Sequence, residues 1–182
     1  MTNYPKINDC AFGEKITKLY GEYKIPKQTL TFDDICFPKK FQLQLPQKFL
    51  SEFMNPSTPY RGVLVYHRIG AGKTCTAVRI AETWRGIKKI IVLLPASLKG
   101  NFRSELRSQC ADNNYLTASE RIALTKYHPS DPEYKEIIKK SDERIDKVYH
   151  IYSYNKFIQL AQSGDINLRN TLLIIDEIQN MV

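Results

Sequence analysis

The residues of this chain that could do chemistry fall into two short stretches, HRIGAGKT at 67–74 and LLIIDEIQ at 172–179. The first closes on Gly70, Gly72, Lys73 and Thr74, the residue types a phosphate cradle needs. Such a cradle aims backbone N–H groups at an anion. Side chains must be absent where the backbone approaches, and a helix N-terminus must follow. Lys73 then reaches the terminal phosphates, and the Thr74 hydroxyl ligates Mg²⁺. His67 stands where the usual pattern G-x-x-x-x-G-K-[ST] opens with glycine. It sits at a strand exit, ahead of the tight turn, so Gly70 and Gly72 still meet the physical requirement. The run His67, Arg68, Ile69, Gly70, Ala71, Gly72, Lys73, Thr74 and Cys75 is therefore read as nucleotide-binding.

The second stretch is an apolar strand that ends in Asp176 and Glu177. Desolvated carboxylates are costly unless paired or metal-bound, so adjacent acids at this place need a reason. Asp176 is assigned to Mg²⁺ through water, and Glu177 to polarising the attacking water as a general base. Lys73 and Glu177 are the expected catalytic residues, and Gln179 is placed to couple hydrolysis to a neighbouring domain. A Ras-type GTPase would carry N-K-x-D, but Asn155-Lys156 is followed by Phe157 and Ile158. A small-molecule kinase has no use for Glu177 as a water activator.

The elements that must position these residues alternate. VLVY (63–66), KIIVLLP (89–95), YHIYSY (149–154) and TLLIIDE (171–177) read as short strands. Helices follow at Thr74 to about Trp84, at 98–106 and at 155–162. Continuous apolar strands alternating with helices predict an α/β fold with a parallel sheet covered on both faces. Its carboxyl edge would carry both stretches, as ligand sites in such sheets do. Residues 1–40 read as an N-terminal extension with a short helix at 13–23, and 45–54 as a helix before a turn-rich loop at 55–62. Residues 107–147 interrupt the rhythm and predict a helical insertion on the surface, with a helix at 132–140.

The chain has 182 residues and a net charge of +8, from 27 Lys and Arg against 19 Asp and Glu. That balance favours a polyanionic partner such as nucleic acid. No apolar run approaches the ~20 residues of a membrane span, and the first ten residues do not read as a secretory signal. Cys10, Cys36, Cys75 and Cys110 are scattered without ligand spacing, which predicts free thiols in a reducing compartment. His67, His128 and His150 lie too far apart to predict a metal site.

With both stretches in place, the chain resembles the first motor domain of a superfamily 2 helicase. HRIGAGKT resembles motif I, LLIIDEIQNM resembles motif II in its D-E-x-[HQ] form, and VLLPASLKGNFRSEL (92–106) is similar to motif Ia. LPQKFLSEFM, LVYHRIGAGKTCTAVRIAE, YHIYSYNKF and RNTLLIIDEIQNM resemble more narrowly the helicases of large cytoplasmic DNA viruses. These include poxvirus nucleoside triphosphatase I, the small early-transcription-factor subunit and giant-virus relatives.

The resemblance covers roughly 41–182 and implies a RecA-like P-loop ATPase domain truncated after the motif II strand. It implies Mg-ATP as the ligand and a DNA or RNA backbone as the partner. Viral transcription or replication proteins would be further partners, and the host cytoplasm or virion the setting. It implies that Gln47 reads the adenine edge, with Gln42 and Gln44 as competitors. Pro95, Ser97, Lys99, Asn101 and Arg103 would lie against phosphates, although Lys99 and Arg103 equally suit an exposed helix.

Two departures stand out. Ile69 replaces a frequent Thr, and the sequence ends at Val182 without motif III or a second RecA-like domain with its arginine fingers. Losing an arginine finger costs ~10³–10⁵ in rate, so the expectation is weak binding and no unwinding by this stretch alone. The competing expectation is a nucleic-acid-binding or scaffold module with a degenerate nucleotide site.

Overall fold

Strand β1, Lys89–Leu94, is the centre of the sheet, and its sequence KIIVLL says why. Ile90, Ile91, Val92, Leu93 and Leu94 are all buried, so both faces of the strand are covered. A strand buried on both sides must be apolar throughout rather than alternating. The structure is a computed structural model that describes residues 4–26, 32, 36, 41–66 and 70–181. The described chain divides into two compact units, Met1–Gly72 and Lys73–Val182.

In the second unit β1 lies between β2, Tyr149–Ser153, and β3, Thr171–Ile175, in the order β2-β1-β3. Both pairings are parallel, with Leu93 opposite Tyr152 on one side and Ile175 on the other. The α/β parallel-sheet expectation holds, and the three strands share one carboxyl edge. All three end one or two residues earlier than the sequence predicts, so Asp176 and Glu177 lie just past β3. Proline stops β1 at Pro95, and a 3-10 turn, Ala96–Leu98, feeds a helix at Lys99–Leu106. Ser153 caps the helix Tyr154–Gln162 by accepting a hydrogen bond from the Lys156 N–H.

The helix that follows the glycines runs Lys73–Trp84 and is called the phosphate-end helix below. Its Glu82 carboxylate accepts hydrogen bonds from the Tyr115 hydroxyl at 2.7 Å and the Tyr149 hydroxyl at 2.5 Å. Burial, reinforced by that carboxylate, pushes both phenols above their ordinary pKa. Residues 107–147 are thus not a surface appendage. Cys110, Ala111, Tyr115, Leu116, Ser141 and Ile145 are core residues. The helix at the end of this region runs Pro132–Asp146, longer than predicted, because its last turns are held from outside. Arg107 pairs with Asp142, and Arg103 pairs with Asp142 at 2.8 Å and Asp146 at 2.5 Å.

The first unit contains helices Phe12–Leu19 and Leu45–Phe53. Aromatic rings supply its core. Tyr60 stacks on Phe53 at 4.3 Å, Phe12 meets Tyr60 edge-on at 5.9 Å, and the Tyr60 hydroxyl donates to the Pro5 carbonyl at 3.0 Å.

One expected strand does not form. Residues 61–66 have no regular structure, and Leu64 and Tyr66 are 79% and 94% exposed. Four apolar residues gain strand geometry only against a partner that takes up their backbone groups. Among the described residues nothing pairs with 63–66, and the outer edge of β3 carries no strand. The sequence pattern reported the composition of a strand correctly but could not report its pairing.

Candidate functional site

Gly70 and Gly72 have φ of +80° and +72°, the left-handed region that side chains disfavour. At Gly72 space is lacking as well, since a Cβ there would stand 2.5 Å from Gln47 Nε2. Gln47 is only 5% exposed, and both ends of its amide are in use. Oε1 accepts from the Gln44 N–H at 2.9 Å, and Nε2 donates to the Gly72 carbonyl at 3.3 Å. The residue expected to read adenine therefore packs against the phosphate loop's own backbone in this structure. His67, Arg68 and Ile69 lie outside the described residues. Ala71 continues the turn between the two glycines.

Lys73 and Thr74 open the phosphate-end helix and are half-buried. A helix N-terminus offers unsatisfied N–H groups and a positive dipole end, so their placement suits an anion. Beyond β3, the Asp176 N–H donates to the Leu93 carbonyl at 2.9 Å and extends the sheet pairing by one bond. Burial raises the Asp176 pKa above the ordinary carboxylate value, and the Glu177 charge adds to this. The Glu177 N–H and the Lys73 ammonium pull it down again.

Glu177 has a φ of +56°, an uncommon conformation for a residue with a side chain. Such strain persists only where neighbours hold it. One holder is Gln179, whose amide donates to the Glu177 carboxylate. The other is Tyr154, whose hydroxyl donates to the Asp176 carbonyl and, at 3.0 Å, to that of Glu177. Tyr154 went unmarked in the sequence because an aromatic after a strand carries no signal of where its hydroxyl points. Burial and the two acids raise its pKa.

Asp176 and Thr74 are hard oxygen donors, the chemistry Mg²⁺ prefers, and a partly desolvated carboxylate gains from a cation. Pro95 and Ser97 lie at the same carboxyl edge, with Ser97 and Asn101 exposed and Lys99 half-buried. Arg103 faces away from that use, since Asp142 and Asp146 neutralise it.

Cys75 corrects the expectation of four free thiols. It is disulfide-bonded to Cys110, with Cα atoms 5.3 Å apart, inside the normal range for a disulfide. A separation of 35 residues gave no hint of this, because the contact arises only when the segment after Leu106 folds back on the phosphate-end helix. Cys10 and Cys36 are free and exposed. Cys75, Glu105 and Cys110 place three donor atoms within 4.8 Å, but two sulfurs bonded to each other do not ligate a metal.

No family model matches the chain, and no solved structure matches it. Sequence relatives are found among viral proteins. A protein of Acanthamoeba polyphaga mimivirus, named as a candidate ATP-dependent RNA helicase, is 59% identical over 180 residues, 99% of this chain and 31% of that protein. The chain is similar to viral proteins named as helicases. A candidate helicase of invertebrate iridescent virus 3 is 29% identical over 98% of this chain and 19% of its own length. An African swine fever virus protein, named as a homolog of the termination factor NPH-I, is 28% identical over 66% of this chain and 15% of its own. The chain thus spans under a third of each of these relatives. The sheet with flanking helices agrees with a RecA-like α/β fragment of such a helicase. No helix of the described residues is long and apolar enough to cross a membrane.

Proposed function

We propose that this chain is the ATP-binding part of a nucleic-acid-dependent ATPase that moves along DNA or RNA in a longer protein. The observation that carries the reading is a helix that opens on Lys73 and Thr74 directly after two left-handed glycines, with Asp176 just past β3. The triphosphate would lie on the N–H groups of Gly70–Thr74, with the Lys73 ammonium on its terminal phosphates. Thr74 and Asp176 would hold Mg²⁺, which when bound neutralises phosphate charge. Glu177 would accept a proton from the attacking water once Gln179 releases its carboxylate. Gln179 is then the coupling residue, since its bond to Glu177 opens or closes with the site. Pro95, Ser97, Lys99 and Asn101 remain the proposed backbone-contact residues, and the net charge of +8 supports a polyanion. The viral relatives support a host-cytoplasm or virion setting, with viral transcription or replication proteins as partners.

Titration of this chain with a fluorescent ATP analogue and Mg²⁺ tests the reading. Lys73→Ala should weaken binding about 10–100-fold, the cost of a lost charge-assisted hydrogen bond. Unchanged binding would sink it. The bond between Gln179 and Glu177 also suits a second reading, a nucleic-acid-binding module whose nucleotide site is idle. That reading expects salt-sensitive DNA binding that ignores ATP.

A further inference from the structure

We propose that the Cys75–Cys110 disulfide is a reversible thiol switch that sets the nucleotide affinity of the helix carrying Lys73 and Thr74. The proposal rests on the nucleotide reading above. Cys75 is the residue after Thr74, and it and Cys110 are 5% and 1% exposed.

The bond is one of three grips on a single helix face. Cys75, Arg79 and Glu82 all hold the segment 110–115. Arg79 Nη1 donates to Asp112 Oδ2 at 2.5 Å and to the Cys110 carbonyl at 3.4 Å. Glu82 accepts from Asn114 Nδ2 at 3.0 Å and from the Tyr115 hydroxyl at 2.7 Å. The covalent grip sits at the phosphate end, and the other two remain when it opens. Reduction therefore removes the covalent tie at the first turn of the helix without releasing the segment.

The surroundings suit both redox states. Glu105 Oε1 lies 2.8 Å from Cys110 Sγ. A disulfide sulfur has no hydrogen for that carboxylate, whereas a Cys110 thiol would donate one. Two residues past Cys110 the chain makes a short exposed turn, Asp112–Asn114, with left-handed φ of 52° and 60° at Asp112 and Asn113.

The reductant is an external dithiol. Its thiolate attacks the Cys110 sulfur, the S–S bond breaks, and Cys75 leaves as a thiolate stabilised by the helix N-terminus. The dithiol's second thiolate then attacks its own sulfur in the mixed disulfide and releases Cys110. Two electrons and two protons pass to the cysteine pair, and the dithiol departs as a cyclic disulfide. The reduced state has a looser first turn and an ionisable thiol beside the anion site, and both oppose phosphate binding.

The test uses this chain, isolated in air and then treated with dithiothreitol. The denatured chain should titrate with two thiols before treatment, matching free Cys10 and Cys36, and four after. The Kd of a fluorescent ATP analogue should rise about fivefold or more on reduction, the low end of ordinary coupling. Cys110→Ser should show the reduced-state affinity in both conditions. By reciprocity, saturating Mg-ATP should protect the disulfide from reduction by the same factor. Four thiols before treatment, or equal affinity in the two states, overturns the proposal. Amide exchange at Thr74 and Thr76 separates the two possible failures. Binding in neither state with faster exchange on reduction sinks the nucleotide reading and the affinity claim together. Binding in both states with unchanged affinity and exchange sinks the switch alone.

Discussion

The acid pair and the glycine turn, which belong to different units, are held in different ways. Asp176 continues a parallel sheet, its N–H on the Leu93 carbonyl, with the Tyr154 hydroxyl clasping the carbonyls on either side of the Asp176–Glu177 link. The neighbouring strand β1 is buried from Ile90 to Leu94. Gly70 and Gly72 instead follow an irregular stretch, 61–66, and the Gly72 carbonyl accepts from the Gln47 amide. Segments tied into a buried sheet open less readily than loops held by few contacts. By these contacts the acid pair is the rigid half of the comparison, and the glycine turn the compliant half.

The largest effect is expected where the compliant half has no slack. Gly72→Ala adds the left-handed penalty of roughly 1–2 kcal/mol and drives a methyl group toward Gln47. Nucleotide affinity should fall by at least about tenfold. Gly70→Ala carries the same backbone penalty, but its Cβ would meet nothing within 4 Å. The difference between the two variants, measured by titration with an ATP analogue, isolates the Gln47 contact. Equal losses would mean that Gln47 does not hold the turn.

What the sequence shows and hides follows the same division. Strands β1 and β3 are legible as unbroken apolar runs; in β1 burial on both faces leaves no other choice of residue, whereas β3 is only partly buried. The acids after β3 were legible because charge at such a place is costly. Pairing is not local, and there the reading failed. The run 63–66 has the right residues for a strand and no partner among those described. The contacts of Cys75, Gln47 and Tyr154 depend on segments at 110, 72 and 176, which periodicity cannot bring together. Arg103 illustrates the converse error, since a helix-surface arginine reads as a phosphate contact until Asp142 and Asp146 are seen beside it.

A smaller effect probes the rigid half. Tyr154→Phe keeps the ring and removes the hydroxyl that donates to the Asp176 and Glu177 carbonyls. The cost should be about 1 kcal/mol in urea unfolding, the net worth of an ordinary hydrogen bond. Amide exchange should rise at Glu177–Gln179 and not in β1. A loss spread through the sheet would show that the acid pair is no stiffer than the glycine turn.

The smallest effect carries the opposite sign. Burial and the Glu177 charge raise the Asp176 pKa in the folded chain, and Lys73 only partly offsets this. A carboxyl whose folded pKa lies above its unfolded value favours folding while protonated. Its contribution is complete below the ordinary value of 3.8 and is lost as pH rises through the folded pKa. At pH 7 the ionised Asp176 is thus a stability cost, one that the proposed Mg²⁺ role would explain. Asp176→Asn should unfold at higher urea than the unmodified chain at pH 7, and the gap should shrink as pH falls toward 3.8. Saturating Mg-ATP should narrow the gap at pH 7, because only the carboxylate gains a cation partner. An asparagine variant less stable at pH 7 would mean that Lys73 already satisfies Asp176, and the rigid half would then need no metal to complete it.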